Sequence, residues 1–302
     1  MLSVDYTVVS LDKGIDLILS TAESPNISKQ TSIKTGFIKF SPVVKDFLVL
    51  AIRRATRRNC PRTGKISPRT AGGPPDQRLR IAALEQELNG IEDFDHAGFR
   101  NKTIFWNLEH IPEIRNFMDG MEEHRKKLVL SVLDKYPSEI ENNMDRLPRG
   151  VIHGDFNENN VLVQVKTTED NKAVVSVNGV LDFEDVHHGT FVWDVGLMLA
   201  YTLLECKIMD PLEGAGHALA GYLSLRSLSP LEIFVLKTCI ESRLCQSLVI
   251  CAHSYRTDPT NAYLLTSAKQ GWSRLEQLCN TNKEDLLQKW KEIQEKYASK
   301  NV

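Results

Sequence analysis

The sequence predicts an α+β fold, mostly helical, in which a short β-hairpin leads into a helical lobe. Three observations predict it. Two β-branched runs, residues 161–165 (VLVQV) and 173–177 (AVVSV), flank a polar loop and read as the two strands of a hairpin. Capping signals and helically spaced apolar residues fill most of the chain after Asp194. Residues 1–80 contain two short strand-like pieces, 5–9 and 36–40, and no convincing β-rich lobe.

In chain order, the first strand opens after Asn160, and a polar loop from Lys166 to Lys172 returns the chain for its partner. Asn178-Gly179 reads as a turn into Val180 and Leu181. Residues 195–206 are almost wholly apolar and predict a buried helix. Ser229, Pro230 and Glu232 form a capping box with proline at the first helical position, opening a long helix to Ala252. Thr281 to Glu284 repeats the capping pattern before a last amphipathic helix through Leu286, Leu287, Trp290, Ile293 and Tyr297.

The chemistry concentrates in residues 151–163 (VIHGDFNENNVLV) and 180–184 (VLDFE). Asp155 and Asn160 stand five apart in a short loop, and Asp182 ends a β-branched run. Phosphoryl transfer needs this set: an acidic group to orient the attacking hydroxyl, and an amide oxygen plus a carboxylate to hold Mg²⁺ against nucleotide phosphates. The transferred phosphoryl is nearly free in the transition state, so positioning and charge neutralisation carry the catalysis. Asp155 is therefore the expected catalytic base, and Asn160 and Asp182 the expected oxygen ligands of Mg²⁺. The bland alternative makes His153-Gly154-Asp155 a strand-end turn and Asp182 a surface carboxylate. Each residue alone favours that reading, but the combined spacing does not.

With these motifs the sequence resembles the aminoglycoside phosphotransferase family, whose fold is protein-kinase-like. Residues 153–160 (HGDFNENN) and 182–196 (DFEDVHHGTFVWDVG) carry the resemblance, which runs from about residue 84 to 297. It implies a helical C-terminal lobe with a catalytic hairpin, Asp155 as base, and Asn160 and Asp182 on Mg²⁺. It also implies that Asp194 supports the catalytic loop and that GTP or ATP is the donor. Residues 105–108, 242–249 and 268–272 look like the hydroxylysine kinase branch, whose members use GTP to phosphorylate the side-chain hydroxyl of 5-hydroxy-L-lysine in lysine degradation. A kinase for another alcohol (choline, homoserine or an aminoglycoside) and a non-catalytic binding protein are the alternatives.

The departure from the family lies at the N-terminus, where the first lobe reads as absent or degenerate. No Gly-rich hairpin precedes Lys39, so it is a poor candidate for the phosphate-gripping strand lysine. Thr63-Gly64-Lys65 lacks the first glycine and the final hydroxyl of a phosphate loop. Nine basic residues between Arg53 and Arg80 face one acid, Asp76, among four prolines. Such a segment has little to bury. The expected organisation is an atypical segment over 1–52, a disordered basic linker over 53–82, and a catalytic lobe over 83–302. A nucleic-acid arm is disfavoured because the linker has no aromatic residues for stacking.

The 302 residues carry a net charge of −2, so no global field points to nucleic acid or membrane. Six cysteines show no metal spacing, and reduced buried thiols fit a cytoplasmic protein. No secretory signal or membrane-length apolar run is present in the sequence. The partners expected are a small-molecule substrate and a nucleotide, with no protein partner inferred.

Several residues keep two readings. His153 braces the loop or transfers protons. Glu184 and Asp185 face a cationic substrate or form a hydrogen-bonded turn. Arg243 forks a substrate carboxylate or pairs with Glu241 or another internal acid. His187 and His188 are a metal pair or a surface turn, the turn being favoured. Trp106 and Trp272 read as packing residues.

Overall fold

Three small antiparallel ribbons occur among the described residues; one packs on the helical layer, and the chain crosses twice between it and a second. The structure is a computed structural model describing residues 5–11, 15–21, 100, 104–167, 173–207, 209–260 and 268–298. For 5–11, 15–21, 162–167 and 173–179 it describes the backbone. Residues 36–40, Lys39, Thr63 to Lys65 and the basic linker lie outside the described residues.

Strands β1 (Asp5–Leu11) and β2 (Ile15–Thr21) pair as a hairpin, and β2 lies against β5. The second of these strands was not anticipated from the sequence. Strand β3 (Arg149–Ile152) is followed by the expected hairpin of β4 (Val161–Thr167) and β5 (Ala173–Val180). The strand β6 (His187–Thr190) then pairs with β3. The expected turn at Asn178-Gly179 is instead part of β5. Leu162 pairs with Gly179 and Val163 with Val177, so Asn178 is the extra residue of a bulge. A bulge sharpens the local twist just before the strand delivers Asp182.

The β3–β6 ribbon corrects the surface turn expected at His187 and His188. Both residues are in a strand; His187 is buried and His188 half-buried, as alternation across a strand requires. A four-residue strand made of His, Gly and Thr leaves no sequence periodicity to read.

The helical lobe begins with a 3₁₀ segment (Leu108–Phe117), α1 (Glu123–Leu133) and α2 (Tyr136–Glu139). It continues with α3 (Phe191–Glu205), α4 (Pro211–Leu223), α5 (Pro230–Thr257), α6 (Ala268–Asn280) and α7 (Lys283–Ala298). Helix α3 is buried almost all round and packs between α4 and α5. It starts at Phe191, earlier than its apolar run suggests, so Asp194 sits in its first turn. The capping box of α5 is formed: Glu232 N–H donates to Ser229 Oγ (3.2 Å) and Ser229 N–H to Glu232 Oε2 (2.8 Å). Helix α7 is capped by Asn282, whose Oδ1 accepts from Asp285 N (3.0 Å). The expected cap, Thr281, instead donates its hydroxyl to Gln277 O at the end of α6.

Long as it is, α5 crosses the interior and carries buried polar groups that find partners both within the helix and outside it. Glu241, fully buried, accepts from Lys135 Nζ (3.1 Å) and Lys237 Nζ (2.5 Å). Cys206, Cys239, Cys245, Cys251 and Cys279 are free thiols. Burial pushes the Cys239 and Cys245 thiols well up, and burial with the Glu241 charge pushes Cys279 to about 12. Among the described residues no helix is long and apolar enough to cross a membrane.

Candidate active site

The site forms where the chain passes between ribbons: outward through residues 153–160, back through 181–186. The two segments are stitched together. Leu181 N–H donates to Asn160 O (2.8 Å), and His153 Nε2 bonds Leu181 O (2.9 Å). Asp155 N–H donates to His153 Nδ1 (3.3 Å), which leaves the ring proton on Nε2. Phe156 and Phe183 hold the ring, each centroid 5.5 Å away. These contacts are those of a brace between the two segments.

Asp194 fixes the first segment from below. Its Oδ2 accepts from His153 N–H (2.8 Å) and its Oδ1 from Gly154 N–H (2.9 Å), and the residue is fully buried. Gly154 then turns with φ +79°, a conformation that costs glycine little. A Cβ there would also stand 2.6 Å from Asp185 O, so the two segments approach as closely as backbone allows.

Asp155 follows, 27% exposed, with both carboxylate oxygens engaged. Oδ2 accepts from Asn160 Nδ2 (3.1 Å), which also donates to Asp155 O (2.8 Å). Oδ1 accepts from Arg243 Nη2 (3.3 Å). Arg243 comes from α5 and is 4% exposed. Of its two sequence readings the structure shows the internal acid, and that acid is Asp155. Glu241 is taken by the two lysines. Burial raises the Asp155 carboxyl above its usual range, against the opposing pull of Arg243, Asn157 and His153.

With its nitrogen turned to Asp155, Asn160 keeps Oδ1 as the end of the carboxamide facing away. Asp182 leaves the Asn160 link one residue later. It is the one non-glycine residue at positive φ (+56°) among those described, and its Oδ1 accepts from Glu184 N–H (3.3 Å). Asp tolerates this left-handed conformation better than most side chains. Glu184 is exposed and Asp185 half-buried in the turn that follows, and His187 Nδ1 bonds Asp185 O (2.7 Å). One carboxamide oxygen and one carboxylate are hard donors suited to a divalent cation that keeps several waters. No cluster of three or more His, Cys, Asp or Glu suited to a metal occurs among the described residues.

Some residues around Asp155 were not singled out from sequence. Tyr201 on α3 accepts from Arg243 Nη2 through its hydroxyl (3.1 Å), and Gln246 Oε1 accepts from Nη1 (3.0 Å). Trp106, expected only to pack, lies under the guanidinium at 4.9 Å. Glu158 and Glu205 add acid at the rim. Burial raises the Glu158 carboxyl, with Glu205 and Asp155 contributing. Gln246 stands three residues from Arg243 and one helical turn encodes that contact. Nothing in the local spacing encodes the others.

Residues 64–228 match the pattern of the phosphotransferase enzyme family. The hydroxylysine kinases of Bos taurus and Mus musculus are each 30% identical to this chain, over 231 and 229 residues. The alignments cover 74% of this chain and 61% and 60% of theirs, so the chain spans about three-fifths of these relatives' length. A microcompartment-associated aminopropanol kinase superposes with a TM-score of 0.53 at 16% identity, covering 91% of this chain and 90% of that one. At that identity the likeness is one of fold, and the fold is kinase-like.

Proposed function

This chain belongs to the phosphotransferase enzyme family, and on that premise we propose that it transfers the γ-phosphoryl of a nucleotide to the hydroxyl of a small amino acid. The acceptor we propose is 5-hydroxy-L-lysine, in keeping with the names of its relatives, and the donor GTP, with ATP as the alternative. The observation that carries the reading is Asp155. It is a carboxylate on a doubly braced loop, partly open to solvent, with each oxygen pinned by one protein donor.

In this reading Asp155 accepts a hydrogen bond from the acceptor hydroxyl through a remaining lone pair. As the hydroxyl oxygen bonds to the γ-phosphorus, its proton passes to Asp155. The bond to the bridging oxygen breaks, and the nucleoside diphosphate leaves with that electron pair. Asn160 Oδ1 and the Asp182 carboxylate are the proposed ligands of Mg²⁺, which when bound neutralises phosphate charge. Asp194 and His153 act on this chemistry by holding the loop. Glu184 and Asp185, exposed and half-buried beside Asp182, are proposed to meet the substrate's ammonium groups. Arg243, the nearby cation, reaches the acceptor through Asp155.

The test measures phosphate transfer from labelled GTP and ATP, with Mg²⁺, to 5-hydroxylysine, homoserine, choline and an aminoglycoside. Transfer to 5-hydroxylysine that falls at least a hundredfold in Asp155→Asn, with nucleotide binding kept, is the expected result. Preference for choline or an aminoglycoside overturns the acceptor. Nucleotide binding with no transfer to any alcohol favours a binding role.

A further inference from the structure

We propose that the Tyr201 hydroxyl is a substrate contact: it donates its proton to the carboxylate of an amino-acid acceptor and so separates amino acids from other alcohols. The proposal deepens the phosphotransferase reading and rests on it; the spare donor itself follows from geometry alone.

Tyr201 lies half-buried on α3, one helical turn before Glu205. Its hydroxyl accepts from Arg243 Nη2 (3.1 Å), and among the described residues it makes no other hydrogen bond. A guanidinium donates and never accepts, so this bond uses an oxygen lone pair and leaves the phenolic O–H unspent. A hydroxyl that accepts from a cation is polarised, and its own O–H becomes a stronger donor. Arg243 also fixes where that donor sits. The same Nη2 donates to Asp155 Oδ1 (3.3 Å), so the hydroxyl and the carboxylate are no further apart than two hydrogen bonds laid end to end. The guanidinium is held in turn by Gln246 Oε1 (3.0 Å) and by the rings of Trp106 and Tyr201, at 4.9 and 5.5 Å. Gln246 is tied to the backbone at Phe105 O (2.9 Å). A hydroxyl bonded to so fixed a group is itself held in place.

The surroundings select the ligand. Arg243 is 4% exposed and spends both terminal nitrogens inside the protein, so it offers an incoming carboxylate no fork. Asp185, Glu158 and Glu205 make the rim acidic, which attracts ammonium groups and repels a carboxylate. The rim cation Lys207 is exposed and paired with Glu205 (3.1 Å). The Tyr201 O–H, with the Arg243 charge behind it, is a donor that a carboxylate can meet. In 5-hydroxy-L-lysine, as in homoserine, the carboxylate hangs on a short flexible chain from the carbon that bears the hydroxyl. One molecule can therefore present its hydroxyl to Asp155 and its carboxylate to Tyr201. Choline and aminoglycosides have no carboxylate to present.

The experiment compares 5-hydroxylysine with hydroxycadaverine, its decarboxylated analogue, as acceptors for the full chain and for Tyr201→Phe, which removes the hydroxyl and keeps the ring. The readout is the ratio of the two kcat/KM values. A disturbance passed on through Arg243 and Asp155 alters both acceptors alike and cancels in that ratio. The expected result is a parent that favours 5-hydroxylysine, and a preference that falls roughly tenfold or more in Tyr201→Phe, the worth of one hydrogen bond to a charged group. A ratio unmoved by Tyr201→Phe overturns the proposal and assigns the hydroxyl to the support of Arg243. Should Tyr201→Phe not fold, the parent's own ratio decides: a parent that takes hydroxycadaverine as readily as 5-hydroxylysine reads no carboxylate, and the proposal falls. A parent that transfers to no alcohol sinks the phosphotransferase reading. Calorimetric binding of the same two compounds to parent and variant then decides the Tyr201 contact by the same ratio, and binding of neither overturns it.

Discussion

At the level of single residues, burial draws the Asp155 carboxyl toward its neutral form while the proposed chemistry uses the charged one. The sign follows directly. A folded-state pKa raised above the unfolded value stabilises the fold below the unfolded pKa, and that contribution is lost as pH rises through the folded pKa. At neutral pH the ionised Asp155 is thus a cost to stability and a requirement for turnover, a conflict common at active sites. We predict that kcat/KM rises with pH along an acid limb lying above the ordinary aspartate range, and that Asp155→Asn flattens it. A limb at the ordinary aspartate pKa, or one that survives Asp155→Asn, contradicts the assignment. Asp194 sets a second, independent prediction. Asp194→Ala strips the acceptor from two buried N–H groups, at a cost of about 3 kcal/mol or more. Urea unfolding measures it, and a loss under about 1 kcal/mol would mean that the loop is held by something else.

Between elements, the crossing of α3 and α5 sets how the site is assembled. Helix α3 brings Asp194 and Tyr201, and α5 brings Arg243 and Gln246. Their separation is fixed at Gly196, where a Cβ would stand 2.8 Å from Cys239 Cβ and 3.4 Å from the Cys239 carbonyl carbon. Cys239 is one helical turn before Arg243 on α5. In an isolated helix Gly196→Ala stabilises by about 1 kcal/mol. Here the methyl must push the helices apart, and overpacking of this kind costs roughly 1–3 kcal/mol. The net expectation is a chain that unfolds at lower urea than the parent. A stabilised Gly196→Ala would show that the crossing has room to spare. The ribbons make the same point at their own scale. The bulge at Asn178 and the left-handed turn at Asp182 lie four residues apart, one inside β5 and the other just beyond its end.

For the molecule as a whole, the two stitched segments and the helical lobe behind them form the frame against which a nucleotide would bind. A ligand that binds only the folded state at a hundred times its Kd stabilises it by about 2.7 kcal/mol. For a lobe of this size that is a rise of roughly 5–10 °C in Tm. We predict such a rise with Mg²⁺ and GTP or ATP together, and its loss in Asp182→Asn or when EDTA removes the metal. Differential scanning fluorimetry suffices. A wild-type Tm indifferent to Mg²⁺ with both nucleotides would remove the metal–nucleotide site.

The sequence by itself determined the residue types of the candidate site, the hairpin that returns Asp182 toward Asn160, the capping box at Ser229 and the helical character of the lobe. These are local properties: spacing along one element reports which face is apolar and where backbone donors need caps. One further pairing is legible in the sequence. Arg243 and Glu241 are two apart on a helix and cannot face each other, whereas Lys237 and Glu241 are four apart and do pair. Only the tertiary structure decided which acid Arg243 meets, 88 residues away, and that Tyr201 and Trp106 hold it there. The same holds for the burial of His187 in a strand too short to show a period, and for the choice of Asn282 over Thr281 as the cap of α7. In each case local spacing permits more than one solution, and packing between elements distant in the chain selects one.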